Sequence, residues 1–188
     1  EDWKKWWADA KKEMKSDGHF QLPVKKTEPI VYHAEELSPA DKLMSNIRDA
    51  KGLKAQLAAA SELCKAIDDV ENKESVLDEV VAILNDAIKN HLTLKPSLAL
   101  EAVLLRDAIR TQSDVQPQEE ELIADDIFEK ADNLAEAIEG LSAAKQKLAL
   151  EAFRQAHPDT WVVTYLKLIN ETGLRLVGEL VQILIDTG

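Results

Sequence analysis

Residues 38–67 read SPADKLMSNIRDAKGLKAQLAAASELCKAI. Ser38 followed by Pro39 opens a helix. The serine side chain can accept a backbone N–H as N-cap, and proline at the first helical position gives up only an N–H that has no partner there. Asp41 in the first turn complements the positive end of the helix dipole. Leu43, Met44 and Ile47 show an apolar side up to about Ala50, and Gly52 separates this helix from the next. The next carries Leu53, Leu57, Ala60, Leu63 and Ile67 at spacings of three and four, one face of an α-helix. From about residue 53 onward, helices of about 12–22 residues alternate with turns of about two to seven, the grammar of stacked helix pairs.

Asp68 to Lys73 is a polar turn. A helix follows from about Glu74, with Val76, Leu77, Val80, Val81, Leu84, Ile88 and Leu92. Lys95-Pro96-Ser97 opens another, with Leu98, Ala102, Leu105 and Ile109. Thr111 to Pro117 is a polar connection and the best internal boundary. Residues 118–139 read as the longest helix, with Leu122, Ile123, Ile127, Ala131, Leu134 and Ile138 inward. Its outer face sets nine acids against Lys130 alone, either a solvated face or a docking surface for a basic partner. Gly140 ends it, Ser142 caps a helix reaching Ala156, and helices over 160–172 and 174–187 close the chain. The predicted fold is all-α: an irregular α-solenoid-like array of antiparallel helix pairs. No strict period emerges, and the consensus positions of tetratricopeptide, ankyrin and HEAT repeats are unfilled.

In the final helix Leu174, Leu176, Val177, Leu180, Val181, Ile183, Leu184 and Ile185 cover nearly the whole circumference. A helix apolar all round is expected to be buried on all sides. The array is therefore expected to continue beyond Gly188. In isolation this face would be covered by a homodimer through the C-terminal helix, or by folding the helix inward. Glu1 in place of Met at the start likewise implies a piece of a longer protein.

Working back toward the N-terminus, Trp3, Trp6 and Trp7 stand side by side on one helix. Trp3, Trp7, Ala10 and Met14 form an apolar stripe with Trp6 beside it, and Lys4, Lys5, Lys11, Lys12 and Lys15 fill much of the remainder. Asp17-Gly18 stops this helix. A segment with Pro23 and Pro29 follows, too proline-broken to be helical. It reads as an extended strap held on the helices by Phe20, Leu22, Val24, Ile30 and Val31. The tryptophans either dock the first helix onto the next layer or form a binding anchor, since buried Trp dominates interface hot spots. The predicted organisation is a Trp-rich helix and strap over 1–34 and a helical array over 35–188, with a sub-boundary near 111–117.

Trp-x-x-Trp-Trp, the Lys-rich helix and the Gly-His-Phe-x-x-Pro-x-Lys-Lys turn (Trp3 to Lys26) resemble the tryptophan-rich segment in the long N-terminal extension of some Gre-type transcript cleavage factors. The specific likeness covers about thirty residues, and beyond them it is one of general pattern. Nothing matches the Gre coiled coil with its acidic tip, so no cleavage-stimulating residue transfers to this chain. The resemblance implies a non-catalytic protein-interaction domain of a bacterial transcription elongation or transcript cleavage factor, engaging RNA polymerase or a regulator. On that reading the partner-binding residues are Trp3, Trp6, Trp7, Phe20 and Pro23, with Lys25 and Lys26 as a secondary contact. The alternative is an α-helical scaffold or adaptor unrelated to transcription that binds a peptide or partner helix.

The chain of 188 residues has a net charge of −12. Residues 1–33 hold seven lysines against six acids, a net +1, which leaves −13 on the rest. So acidic a body repels phosphate backbones, and direct nucleic-acid binding is not expected. The single cysteine, Cys64, excludes an internal disulfide and suits a cytoplasmic protein. No apolar run spans a membrane. His19, His33, His91 and His157 are scattered without metal-site spacing, and no nucleotide, hydrolase or zinc-protease motif is present. No cofactor, metal or catalytic residue is predicted. His157-Pro158-Asp159 is the tripeptide of J-domain co-chaperones. However, Glu151 interrupts the basic face that such a helix needs, and the Tyr-bearing first helix is missing. A plainer reading places His157 at a helix C-terminus and Asp159 as the next cap, with Trp161 packed between adjacent helices.

Overall fold

The computed structural model describes residues 2–23, 29–34, 38–68, 70, 72–117, 120–131 and 133–187, together with the backbone of Asp69. Ten α-helices and one two-stranded ribbon are described, so the protein is all-α. The chain divides into two compact units, Glu1–Val76 and Leu77–Gly188.

The first unit holds α1 (Asp2–Asp17), β1 (Phe20–Gln21), β2 (Val31–Tyr32), α2 (Pro39–Arg48), α3 (Leu53–Lys65) and a 3-10 turn, Ile67–Asp69. The ends of α2 and α3 fall where local chemistry places them. Ser38 Oγ accepts the Asp41 N–H at 3.1 Å, and Pro39 takes the first helical position. Gly52 stands at φ +89° before Leu53, a backbone state that costs glycine nothing. The two helices pack together, with Met44, Ile47, Leu57, Ala60 and Leu63 buried. Each large aliphatic of this set is worth about 1.5–3 kcal/mol of burial. Cys64 is half-buried, and that burial pushes its thiol pKa up.

After α1, residues 20–21 and 31–32 form a two-stranded ribbon in place of the expected unpaired strap. Phe20 pairs with Tyr32 and Gln21 with Val31 in antiparallel register, and the His33 N–H donates to the His19 carbonyl at 2.7 Å. A strap laid along helices would leave its backbone N–H and C=O groups without partners, and pairing the two arms satisfies them. Val24, one of the expected anchors, lies outside the described residues.

The second unit is built from most of α4 (Lys73–His91), then α5 (Pro96–Thr111), α6 (Ala124–Lys130), α7 (Leu134–Glu139), α8 (Ala143–Ala156), α9 (Trp161–Glu171) and α10 (Leu174–Thr187). Helix α8 is central, packing on α5, α6, α7 and α10, while α9 packs on α10. Leu100, Ile127, Ile138, Leu150, Tyr165 and Leu180 are fully buried. The Tyr165 hydroxyl donates to the Leu150 carbonyl, and the Lys145 ammonium pairs with Glu101 between α8 and α5.

The expected long helix over 118–139 is instead two short ones, α6 and α7. Buried contacts from α5 and two local caps account for this. Arg106 on α5, 1% exposed, reaches the Leu122 carbonyl with Nη1 at 2.8 Å and Asn85 Oδ1 at 3.0 Å. Glu121 turns inward, its carboxylate receiving Arg110 Nη2 and the Asn85 amide. Once Arg106 and Arg110 hold residues 121 and 122, the helix starts only at Ala124, with Asp126 Oδ2 accepting the Ile123 N–H at 2.8 Å. At the other break, Asn133 Oδ1 accepts the Glu136 N–H and caps α7. The run of nine acids is therefore not one solvated face. Glu121 is nearly buried, Asp125 lies 2.7 Å from His157 Nε2, and Asp126 pairs with Lys130. Gln118, Glu119 and Asp132 lie outside the described residues.

Helix α10 is covered on one side within the second unit. Leu176 and Leu180 enter the core, but Leu174, Val181 and Ile185 stay exposed along one stripe, Leu174 at 92%. The helix is apolar on two faces, and only one is covered. His157 closes α8, its ring centroid 4.4 Å from that of Phe153. The next cap is Thr160 rather than Asp159. Trp161 is half-exposed, edge-on to Tyr165 and beneath the Arg154 guanidinium.

Candidate partner-binding surface

At 3.6 residues per turn, α1 carries three parallel rows of side chains. The middle row is Trp3, Trp7, Ala10 and Met14. One border is Asp2, Trp6, Asp9 and Glu13, and the other is Lys4, Ala8, Lys11 and Lys15. The helix ends at Gly18, which is buried at φ +80°, where a side chain would be strained. The ribbon then packs its first strand on α1. Trp7, Ala10 and Met14 are half-buried, and no residue of α1 is fully buried.

Trp3 is 69% exposed and Trp6 55%. The three indoles stack on one another instead of entering a core. Ring centroids are 4.9 Å apart for Trp3–Trp6 and 6.2 Å for Trp3–Trp7 and Trp6–Trp7, with planes within 27° of parallel. Lys11 Nζ lies 5.3 Å from the Trp7 ring centroid, a cation–π contact. Among the described residues, Trp3 and Trp6 are thus not docked on a second layer.

Phe20, half-buried, joins a different group. Its ring centroid is 5.3 Å from that of Tyr32, which also stacks on His19 at 5.9 Å. His19 Nδ1 lies 2.8 Å from Asp17 Oδ1, tying this group back to the end of α1. Pro23 is half-buried, and Lys25 and Lys26 lie outside the described residues. Tyr32, 63% exposed, is the surface residue that sequence reasoning missed. Its cross-strand pairing with Phe20 was the signal, and a strap read as unpaired could not supply it. Among the described residues no group of three His, Cys, Asp or Glu side chains could hold a metal ion, and no helix is long and apolar enough to cross a membrane.

A family model described as "GreA-associated C-terminal domain" matches residues 39–188. The chain belongs to this GreA-associated family. A second model, "GRAD helix-turn-helix domain", matches residues 1–37, the Trp-rich helix and ribbon. The transcription elongation factor GreA of Chlamydia trachomatis serovar D is 28% identical over 183 residues, which cover 95% of this chain. The chain spans 24% of that relative's length. No solved structure matches it. The likeness to Gre-type factors read at Trp3 to Lys26 thus holds for the chain as a whole. The GreA-associated domain is all-α and related to a transcription elongation factor.

Proposed function

We propose that this GreA-associated domain is a non-catalytic, cytoplasmic interaction module that engages RNA polymerase, or a regulator bound to it, through the tryptophan face of α1. The observation that carries this reading is the exposure of Trp3 and Trp6 on a helix whose rings are already ordered by stacking. Ordered aromatic side chains lose little entropy on binding and bury a large area, as interface anchors do. Phe20, Tyr32 and Pro23 extend the surface, and Lys25 and Lys26 contribute a secondary contact. The net charge of −12 supports a protein partner over nucleic acid. The adaptor alternative placed a peptide on a continuous acidic helix over 118–139 or in a groove of the array, and of these the helix is broken in two.

We also propose that the exposed stripe of α10, formed by Leu174, Val181 and Ile185, is a self-association face through which two chains pair.

Polymerase engagement is tested by passing purified core RNA polymerase over the immobilised chain at low and moderate salt. Retention at both is expected. No retention at low salt overturns polymerase binding by this domain.

A further inference from the structure

The three rows of α1 carry more than an aromatic patch. The middle row is bordered on one side by Lys4, Lys11 and Lys15 and on the other by Asp2, Asp9 and Glu13, each set at spacings of seven and four. All six side chains are exposed. A docking face with cations along one border and carboxylates along the other is not symmetric. It distinguishes the two directions in which an amphipathic partner can lie across it.

We infer that the occupant of the tryptophan face is an amphipathic helix of a protein partner, with carboxylates along the border meeting the lysine row and cations along the border meeting the acidic row. The inference rests on the reading of that face as a docking surface, and it specifies the chemistry of the partner. Charges that flank an apolar seam set partner choice and orientation, as they do beside the seam of a coiled coil. The exposed edges of stacked indoles carry positive potential and an N–H donor, so they tolerate carboxylates beside them. A uniformly acidic partner would be repelled along the Asp2–Glu13 border, and a uniformly basic one along the Lys4–Lys15 border. The far side of the helix, with Lys5 and Lys12, takes no part.

The test titrates purified core RNA polymerase against the whole chain and four variants. One reverses the basic row (Lys4→Glu/Lys11→Glu/Lys15→Glu). A second reverses the acidic row (Asp2→Lys/Asp9→Lys/Glu13→Lys). A third exchanges both rows and keeps the net charge unchanged. The fourth, Lys5→Glu/Lys12→Glu, is the far-side control, and circular dichroism confirms that every variant retains its helix content. Each single-row reversal is expected to weaken binding about ten-fold, the sum of three rim pairs. The exchanged variant is expected to be weakest, and the far-side control close to wild type. If the two single-row reversals act in opposite directions, or the exchanged variant binds as wild type does, net charge alone governs binding and the inference fails while polymerase engagement stands. If wild type does not bind polymerase, direct polymerase engagement by this domain fails and takes this inference with it.

Discussion

Replacing Arg106 tests why the acidic segment breaks into two helices. The side chain is 1% exposed. Nη1 donates to Asn85 Oδ1 at 3.0 Å and to the Leu122 carbonyl at 2.8 Å, and Nε donates to Asp107 Oδ1 at 3.0 Å. Glu121 Oε2 stands 3.8 Å from Nη1. Arg106→Met keeps the volume of the side chain but leaves two buried acceptors short of a donor and Glu121 with one fewer cation. Each buried hydrogen bond to a charged donor is worth about 1.5–3 kcal/mol, and removing one partner of a buried ionic group costs roughly 3–5 kcal/mol. We expect about 3–5 kcal/mol in urea denaturation followed by circular dichroism, and a fall in Tm of roughly 10–20 °C for a unit of this size. Arg106→Lys keeps the charge, but its single nitrogen cannot stand where both Nη1 and Nε stand, and it should lose about half as much. A loss below about 1 kcal/mol for Arg106→Met would refute the reasoning, because it would place the network near break-even with an apolar core.

Three other perturbations rest on local geometry. A methyl group at Gly140 would lie 2.6 Å from Ser97 Cβ. Gly140→Ala should therefore cost about 1–3 kcal/mol in the same denaturation assay, with Ser97→Gly restoring most of it; a neutral Gly140→Ala would contradict the close approach. Burial, and after it the charge of Glu151, hold the Tyr165 phenol protonated far above its ordinary value of about 10. Above that pH the unfolded state binds fewer protons than the folded one, so stability falls as pH rises. Tyr165→Phe should lessen the fall between about pH 9 and pH 11, and equal slopes in urea melts would contradict the assignment. Val181→Lys/Ile185→Lys should abolish self-association measured by light scattering across a concentration series, and a wild type that stays monomeric throughout would exclude the α10 face as a dimer interface.

Most helix ends were legible because their causes are local. Ser38-Pro39, Gly52, Pro96 and Gly18 act through their own backbones or within one turn, and the apolar spacing within α2 to α5 and α8 to α10 follows from the helix period. The non-helical stretch at residues 120–123 was not legible, because its cause lies on α5. Arg106 and Arg110 sit where an amphipathic pattern puts ordinary solvated cations, and only the packed unit shows Arg106 to be buried. The ribbon was half legible. Pro23 and Pro29 excluded a helix, but no strong hairpin signal in the sequence between Phe20 and Tyr32 announced their pairing. On α1, spacing alone brought Trp3, Trp6 and Trp7 together. Whether they faced core or solvent could not be read, since an apolar stripe looks the same from the sequence in either case. In the same way, the all-round apolar pattern of α10 did not show which of its faces the second unit covers.

The most direct test of the tryptophan face as a binding anchor is the affinity of core RNA polymerase for the whole chain and for Trp3→Ala/Trp6→Ala, with a thermal melt of each protein. Both rings are more than half exposed, so their removal should cost little stability, while loss of two anchor residues should weaken binding at least about thirty-fold, roughly 2 kcal/mol. A variant that melts near wild type and binds at least about thirty-fold more weakly is the expected result. A folded variant that binds polymerase as tightly as wild type would contradict it.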